Sequence, residues 1–145
     1  MKCARLVLSV VAAGLLVAPA SAAIVNPVMD FGIGYAKEGT RVADDHTSTS
    51  GDVLTIVGHV VQFQEPFDDL DPNDPNKEYT YVYTGMVSQG TAIQPAGSFT
   101  FYNTDYTGGT LSVYCDTAQD ADFANMTGFD NGDLILQANV GTLST

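Results

Sequence analysis

DVLTIVGHVVQF, Asp52 to Phe63, is the stretch on which the fold class turns. Val and Ile fill it in both alternating phases, the composition of a strand covered on both faces. Gly58 interrupts the run and predicts a bulge. Downstream, EYTYVYTGMVSQ, Glu78 to Gln89, alternates instead. Its Tyr79, Tyr81 and Tyr83 point to one side, and Val82 and Met86 to the other. SFTFYN follows, with Phe99 and Phe101 in phase, and then TLSVYC, which sets Leu111, Val113 and Cys115 on one face. Leu134, Leu136, Ala138 and Val140 close the series, with Gln137 and Asn139 outward. Upstream, Ile24 to Ile33 and Gly39 to Ala43 are weaker strand candidates. The helical period is almost absent, and a short helix fits only over Asp120 to Met126. Turn chemistry separates the runs, most clearly at Asn131-Gly132. The pattern predicts an all-β fold, an antiparallel β-sandwich of jelly-roll or immunoglobulin-like type, with a partly closed β-barrel as the alternative.

The first residues, MKCARLVLSVVAAGLLVAPASAA, read as an export address. Lys2 and Arg5 form a positive start, Leu6 to Val17 an apolar stretch, and Ala20-Ser21-Ala22 a small-x-small cleavage site. The apolar stretch is shorter than the ~20 residues needed to span a bilayer. The expectation is therefore a signal peptide over 1–22, cleaved after Ala22, and a single domain over 23–145. No membrane span is expected in the mature chain. Cys3 precedes the apolar stretch, so no lipid anchor is expected on it. Cys115 alone survives cleavage, and its aliphatic neighbours predict a buried thiol, with an interchain disulfide as the alternative.

The charge balance narrows the partners. Five cationic residues face 17 acidic ones, a net charge of −12, and cleavage takes away two cations and no acid. Such a surface repels nucleic acid and anionic lipid and attracts divalent cations and basic proteins.

Two acidic segments are candidate metal sites. FDDLDPNDPNKEY gathers Asp68, Asp69, Asp71, Asn73, Asp74 and Glu78 in a loop stiffened by Pro72 and Pro75. Calcium takes six to eight oxygen ligands from sets of this kind. The loop lacks the glycine of an EF-hand, and its plain alternative is a solvated connection between strands. The segment from Asp116 to Asp133 offers Asp116, Asp120, Asp122, Asn125, Asp130, Asn131 and Asp133, some of them needed for turns or for capping the short helix. The tyrosine stripe Tyr79, Tyr81 and Tyr83 is a candidate sugar platform, against the alternative of cross-strand packing. His46 and His59 form no zinc motif, and Ser88 stands in no nucleophile-elbow pattern. No catalytic residue is assigned.

The stretches EYTYVYTGMVSQGT and GGTLSVYCDTAQDADFANMTGFDNGDLILQANV resemble the body of secreted bacterial proteins of the PEP-CTERM-associated kind. The residues that carry the resemblance are Gly109 to Asp116, Asp120 to Phe123, and Phe129 to Leu136. It implies export across the inner membrane and placement at the surface or in the matrix, often beside exopolysaccharide. The quoted chain has no Pro-Glu-Pro motif and no C-terminal apolar helix. The expectation is a soluble relative or a chain that stops short of the sorting tail. Together these features predict a secreted, non-enzymatic structural or binding protein whose acidic loops take calcium. Its expected partners are extracellular polysaccharide or surface proteins. The alternatives are a carbohydrate-binding module and, third, an extracellular hydrolase.

Overall fold

The computed structural model describes residues 29–39 and 47–145. The predicted signal segment, His46, and residues 24–28 and 40–43 of the two weak strand candidates lie outside them. Seven strands form: β1 (Met29–Glu38), β2 (Val53–Phe63), β3 (Glu78–Ala96), β4 (Phe99–Thr107), β5 (Thr110–Asp116), β6 (Asp133–Asn139) and β7 (Thr142–Ser144). All pair antiparallel in one sheet of order β1-β2-β3-β4-β7, with β5 between β3 and β6. The all-β antiparallel fold read from the residues is the fold that forms. The sheet does not close, because β1 pairs β2 alone and β6 pairs β5 alone. Its layering is consistent with a β-sandwich. Among the described residues no helix is long and apolar enough to cross a membrane.

β3 is the spine. Its first half pairs β5 from Glu78↔Asp116 to Thr84↔Thr110, and its second half pairs β4 from Val87↔Thr107 to Ala96↔Phe99. β4 and β5 are thus one return strand broken at Gly108-Gly109. β6 and β7 are likewise one strand broken at Val140-Gly141. Hydrogen bonds from Val140 N to Gly109 O (3.0 Å) and from Gly108 N to Gly141 O (2.9 Å) carry the ladder across the break. Gly85, Gly108 and Gly109, at φ of 71°, 72° and 101°, sit at this same level. Three neighbouring strands therefore depart from regular pleat along one line.

That line reverses a phase. β2 and β3 shift register between Leu54↔Met86 and Ile56↔Tyr83, so β3 holds an extra residue beside Gly85. An extra residue turns every later side chain to the opposite face. Met86 accordingly joins Leu54, Tyr106 and the tyrosine side of the sheet, not the Val82 side expected from simple alternation. Gly58 marks no shift in the β2–β3 pairing, while on its other side the β1–β2 register shifts between Phe31↔Val60 and Gly34↔Gly58. A Cβ on Gly58 would lie 2.6 Å from the Tyr81 hydroxyl, so its absence makes room for that ring.

Each sheet face has its own cover. On one, Tyr79, Tyr81, Val60, Phe63, Val113, Cys115 and Ile135 pack together under Phe67, which comes from the loop after β2. Cys115 is buried, as its neighbours predicted. Burial holds the phenols of Tyr81 and Tyr83 above their usual pKa, and the neighbouring Tyr83 adds to the effect on Tyr81. On the other face, Val57 and Val82 pack under Phe129, from the 117–132 connection, with Phe123, Ala121 and Met126 around it. No helix forms over Asp120 to Met126. Asp122 and Thr127 instead exchange backbone hydrogen bonds, and Met126 takes φ 54° to turn the chain back.

A polar cluster missed from sequence lies near the end of β1. Glu38 is 7% exposed, and its Oε1 accepts from the Tyr106 hydroxyl (3.0 Å) and from Ser48. The Ser48 and Ser88 hydroxyls stand 2.6 Å apart. The cluster ties β1, β3 and β4 to the segment entering β2.

Candidate metal centre

Glu78 opens β3 and Asp116 closes β5, and the two face each other directly across the ladder. Like charges in that position repel. Asp120 adds a third carboxylate from the following loop. One oxygen from each of Glu78, Asp116 and Asp120 lies within 4.8 Å of the others. The local chain is built for this approach. A Cβ on Gly132 would fall 2.6 Å from the Cys115 carbonyl oxygen, and one on Gly128 would fall 2.8 Å from Asp120 Oδ1. Only glycine lets the loop close so tightly over these acids.

The remaining lone pairs are distributed unevenly. Glu78 Oε1 is 3.1 Å from His59 Nε2, and Glu78 Oε2 accepts from the Ala121 N–H (3.2 Å). Both Asp120 oxygens accept from the Asn131 side-chain amide, at 3.0 and 3.2 Å. One Asp116 oxygen, Oδ1, accepts from the Ala118 N–H (2.9 Å). The other, Oδ2, is buried and has no hydrogen-bond partner among the described residues. A buried carboxylate oxygen without a donor is costly. A hard cation satisfies it and removes the mutual repulsion together. All-oxygen ligands suit calcium or magnesium over zinc, and the exposure of Asp120 leaves room for the waters that calcium's coordination number requires.

This triad takes one residue from the first predicted cluster and two from the second. The other members do different work. Asp71 Oδ1 accepts from the Asn73 N–H (2.9 Å) and Asp74 Oδ1 from the Asn76 N–H (3.0 Å). The doubled Asp-Pro-Asn motif is thus a pair of consecutive side-chain-closed turns. The Asn76 N–H, foremost, with the Asn76 amide and Lys77, keeps Asp74 below the usual carboxylate range. Asp68, Asp69 and Asn73 are exposed and do not join the triad. In the second segment, Asp122 accepts from the Asn125 amide (2.6 Å) and the Ala124 N–H (2.8 Å), and these bonds lower its pKa. Asp130 and Asp133 are exposed, and neither is in the triad.

The tyrosine stripe does not form an exposed platform. Tyr79 and Tyr81 are 3% and 4% exposed, and Tyr83 is partly buried against the same core. Tyr81 meets Phe31 edge to face at 4.8 Å, and Tyr79 meets Phe63 at 4.9 Å. These rings are packed against protein on the face that a sugar would have to reach. Beside Glu78 an open cleft of about 430 Å³ is lined by His59, Val60, Pro72, Asp74, Lys77 and Gln119 among others. Its lining contains no serine, threonine or cysteine.

No protein-family model, curated protein or solved structure matches this chain.

Proposed function

We propose that the protein is an exported, non-enzymatic β-sandwich domain of the cell surface or extracellular matrix, with a structural or binding role. In this reading a calcium ion held by Glu78, Asp116 and Asp120 consolidates the fold. The observation that carries it is the buried, donorless Asp116 Oδ2 within a three-carboxylate cluster that spans a strand pair and the loop covering it. A cation there joins β3, β5 and the 117–132 connection, the parts that enclose the Phe129 core. Export rests on the signal-like N-terminus and on the resemblance to PEP-CTERM-associated proteins. The expected partners are extracellular polysaccharide or surface proteins.

Calcium binding is read by thermal unfolding. A ligand at a hundredfold excess over its Kd stabilises the folded state by about 2.7 kcal/mol, which raises Tm by several degrees in a domain of this size. Calcium should therefore raise Tm, and chelation should lower it. Asp116→Asn removes one repelling charge and supplies an amide donor. The variant should unfold no lower than the wild type in chelator, yet gain nothing from calcium. A wild-type Tm that stays flat across millimolar calcium would remove the ion from the proposal and leave the fold as described.

Export has a separate test. Mass spectrometry of protein recovered from the producing cell's surroundings should find Ala23 at the N-terminus. Recovery only of a chain that retains Met1 to Ala22 would overturn the exported placement.

A further inference from the structure

The distal half of the β3–β4 hairpin stands apart from the rest of the sheet. Every residue from 92 to 103 is exposed. Phe99 is 73% exposed, Phe101 and Ile93 are each 55%, and Tyr102 is 42%. Cross-strand partners share a face, so Ala92, Gln94 and Ala96 lie with Asn103, Phe101 and Phe99. The other face carries Ile93 beside Tyr102 and Pro95 beside Thr100. A lone two-stranded ribbon is marginal in water and gains stability from a further apolar layer.

We propose that this ribbon is a self-association surface, in which the Phe99–Phe101 face of one copy packs on the same face of a second copy. Two features select that occupant. The first is charge. No charged side chain occurs between Glu78 and Asp105, in a chain whose net charge is −12. Two copies repel each other through most of their surface, and this arm is where they meet without opposed carboxylates. A basic partner, which the acidic surface otherwise attracts, finds no charge to pair with here.

The second feature is shape. The face has two phenylalanines on β4 beside Ala92, Gln94 and Ala96 on β3, with the uncharged Gln94 opposite Phe101. A two-fold axis through the contact sets the phenylalanines of each copy over the partner's Ala92–Gln94–Ala96 row, whose two alanines leave room for the rings on either side of the glutamine, as an isologous interface requires. The surface is small. Aromatic side chains bury at most about 150–250 Å² each, so two rings fall short of the ~800 Å² per partner of a standard interface. The dimer is consequently weak and dependent on concentration.

The test is sedimentation equilibrium of the purified protein in chelator, from about 1 μM to about 1 mM, the span over which so small an interface associates. The wild-type mass should climb from that of one mature chain, residues 23–145, towards twice that value. Added salt should strengthen the association by screening the acidic bodies. Phe101→Asp should remain monomeric throughout, and Phe99→Ser should repeat that loss without introducing charge. Thr100→Asp places the same charge on the opposite face and should still dimerise. Circular dichroism should be unchanged in all three variants, because the arm is exposed in the monomer. A wild type that stays at the mass of one chain, or equal losses in Phe101→Asp and Thr100→Asp, overturns the proposal.

Discussion

Gly109→Ala should destabilise the protein by about 2–6 kcal/mol, a large share of the ~5–15 kcal/mol that separates folded from unfolded domains. Two effects combine. Gly109 holds φ 101°, beyond the left-handed region that non-glycine residues tolerate, and such strain costs on the order of 1–3 kcal/mol. A Cβ there would also lie 2.8 Å from the Thr84 carbonyl oxygen and 2.6 Å from Met86 Cγ. The methionine can yield, but the carbonyl is main chain in the strand alongside, so relief requires moving the ladder. Overpacking of this kind adds about 1–3 kcal/mol. Gly97→Ala is the control. Gly97 also has positive φ, 63°, but no atom lies within 4 Å of its Cβ position. It should lose only about 1–2 kcal/mol, the cost of a single residue in the left-handed region. Urea unfolding of both variants measures the contrast. Equal midpoints would mean that the break between β4 and β5 does not depend on the glycine.

The same break shows where sequence patterning stops. A continuous β-branched run located β2, and period-two alternation located the start of β3 and β5, because each has apolar residues on a buried face; in β6 the buried residue is Ile135, out of phase with the expected Leu134, Leu136, Ala138 and Val140. Alternation ended the third strand near Gln89, whereas β3 runs to Ala96. The added part is the bare arm, where neither face is buried and no alternation is imposed. Patterning also put Met86 with Val82, since one inserted residue beside Gly85 leaves no trace in composition and only the register reveals it. The three-residue β7 is too short to show a period. At the candidate metal centre the residue types were legible but their grouping was not. Glu78 and Asp116 meet because the long hairpin aligns them, a consequence of strand register and not of spacing along the chain. Asp71 and Asp74 looked like ligands because side-chain-closed turns and calcium loops use the same Asp and Asn residues.

Phe129→Ala should cost about 3–5 kcal/mol, the usual range for deleting a buried phenylalanine side chain, and should also reduce the stabilisation gained from calcium. Phe129 is 1% exposed, and it fixes the 117–132 connection to the sheet. Its ring meets Phe123 edge to face at 4.9 Å and packs on Val57 and Val82. Its carbonyl accepts the Thr80 hydroxyl at 2.8 Å. Removing the ring leaves a cavity between sheet and loop and loosens the segment that carries Asp120. Glu78 and Asp116 remain in place, because the β3–β5 ladder holds them independently. The third carboxylate is then positioned less often, and calcium must order the loop as it binds, so its apparent affinity falls by the fraction of molecules in which the loop is seated. Phe129→Leu, which refills most of the space, should recover most of both losses. The deciding measurement is the calcium-dependent rise in Tm for the three proteins. If Phe129→Ala lowers Tm in chelator but keeps the full wild-type rise with calcium, the packing of the loop and the occupancy of the acidic triad are independent.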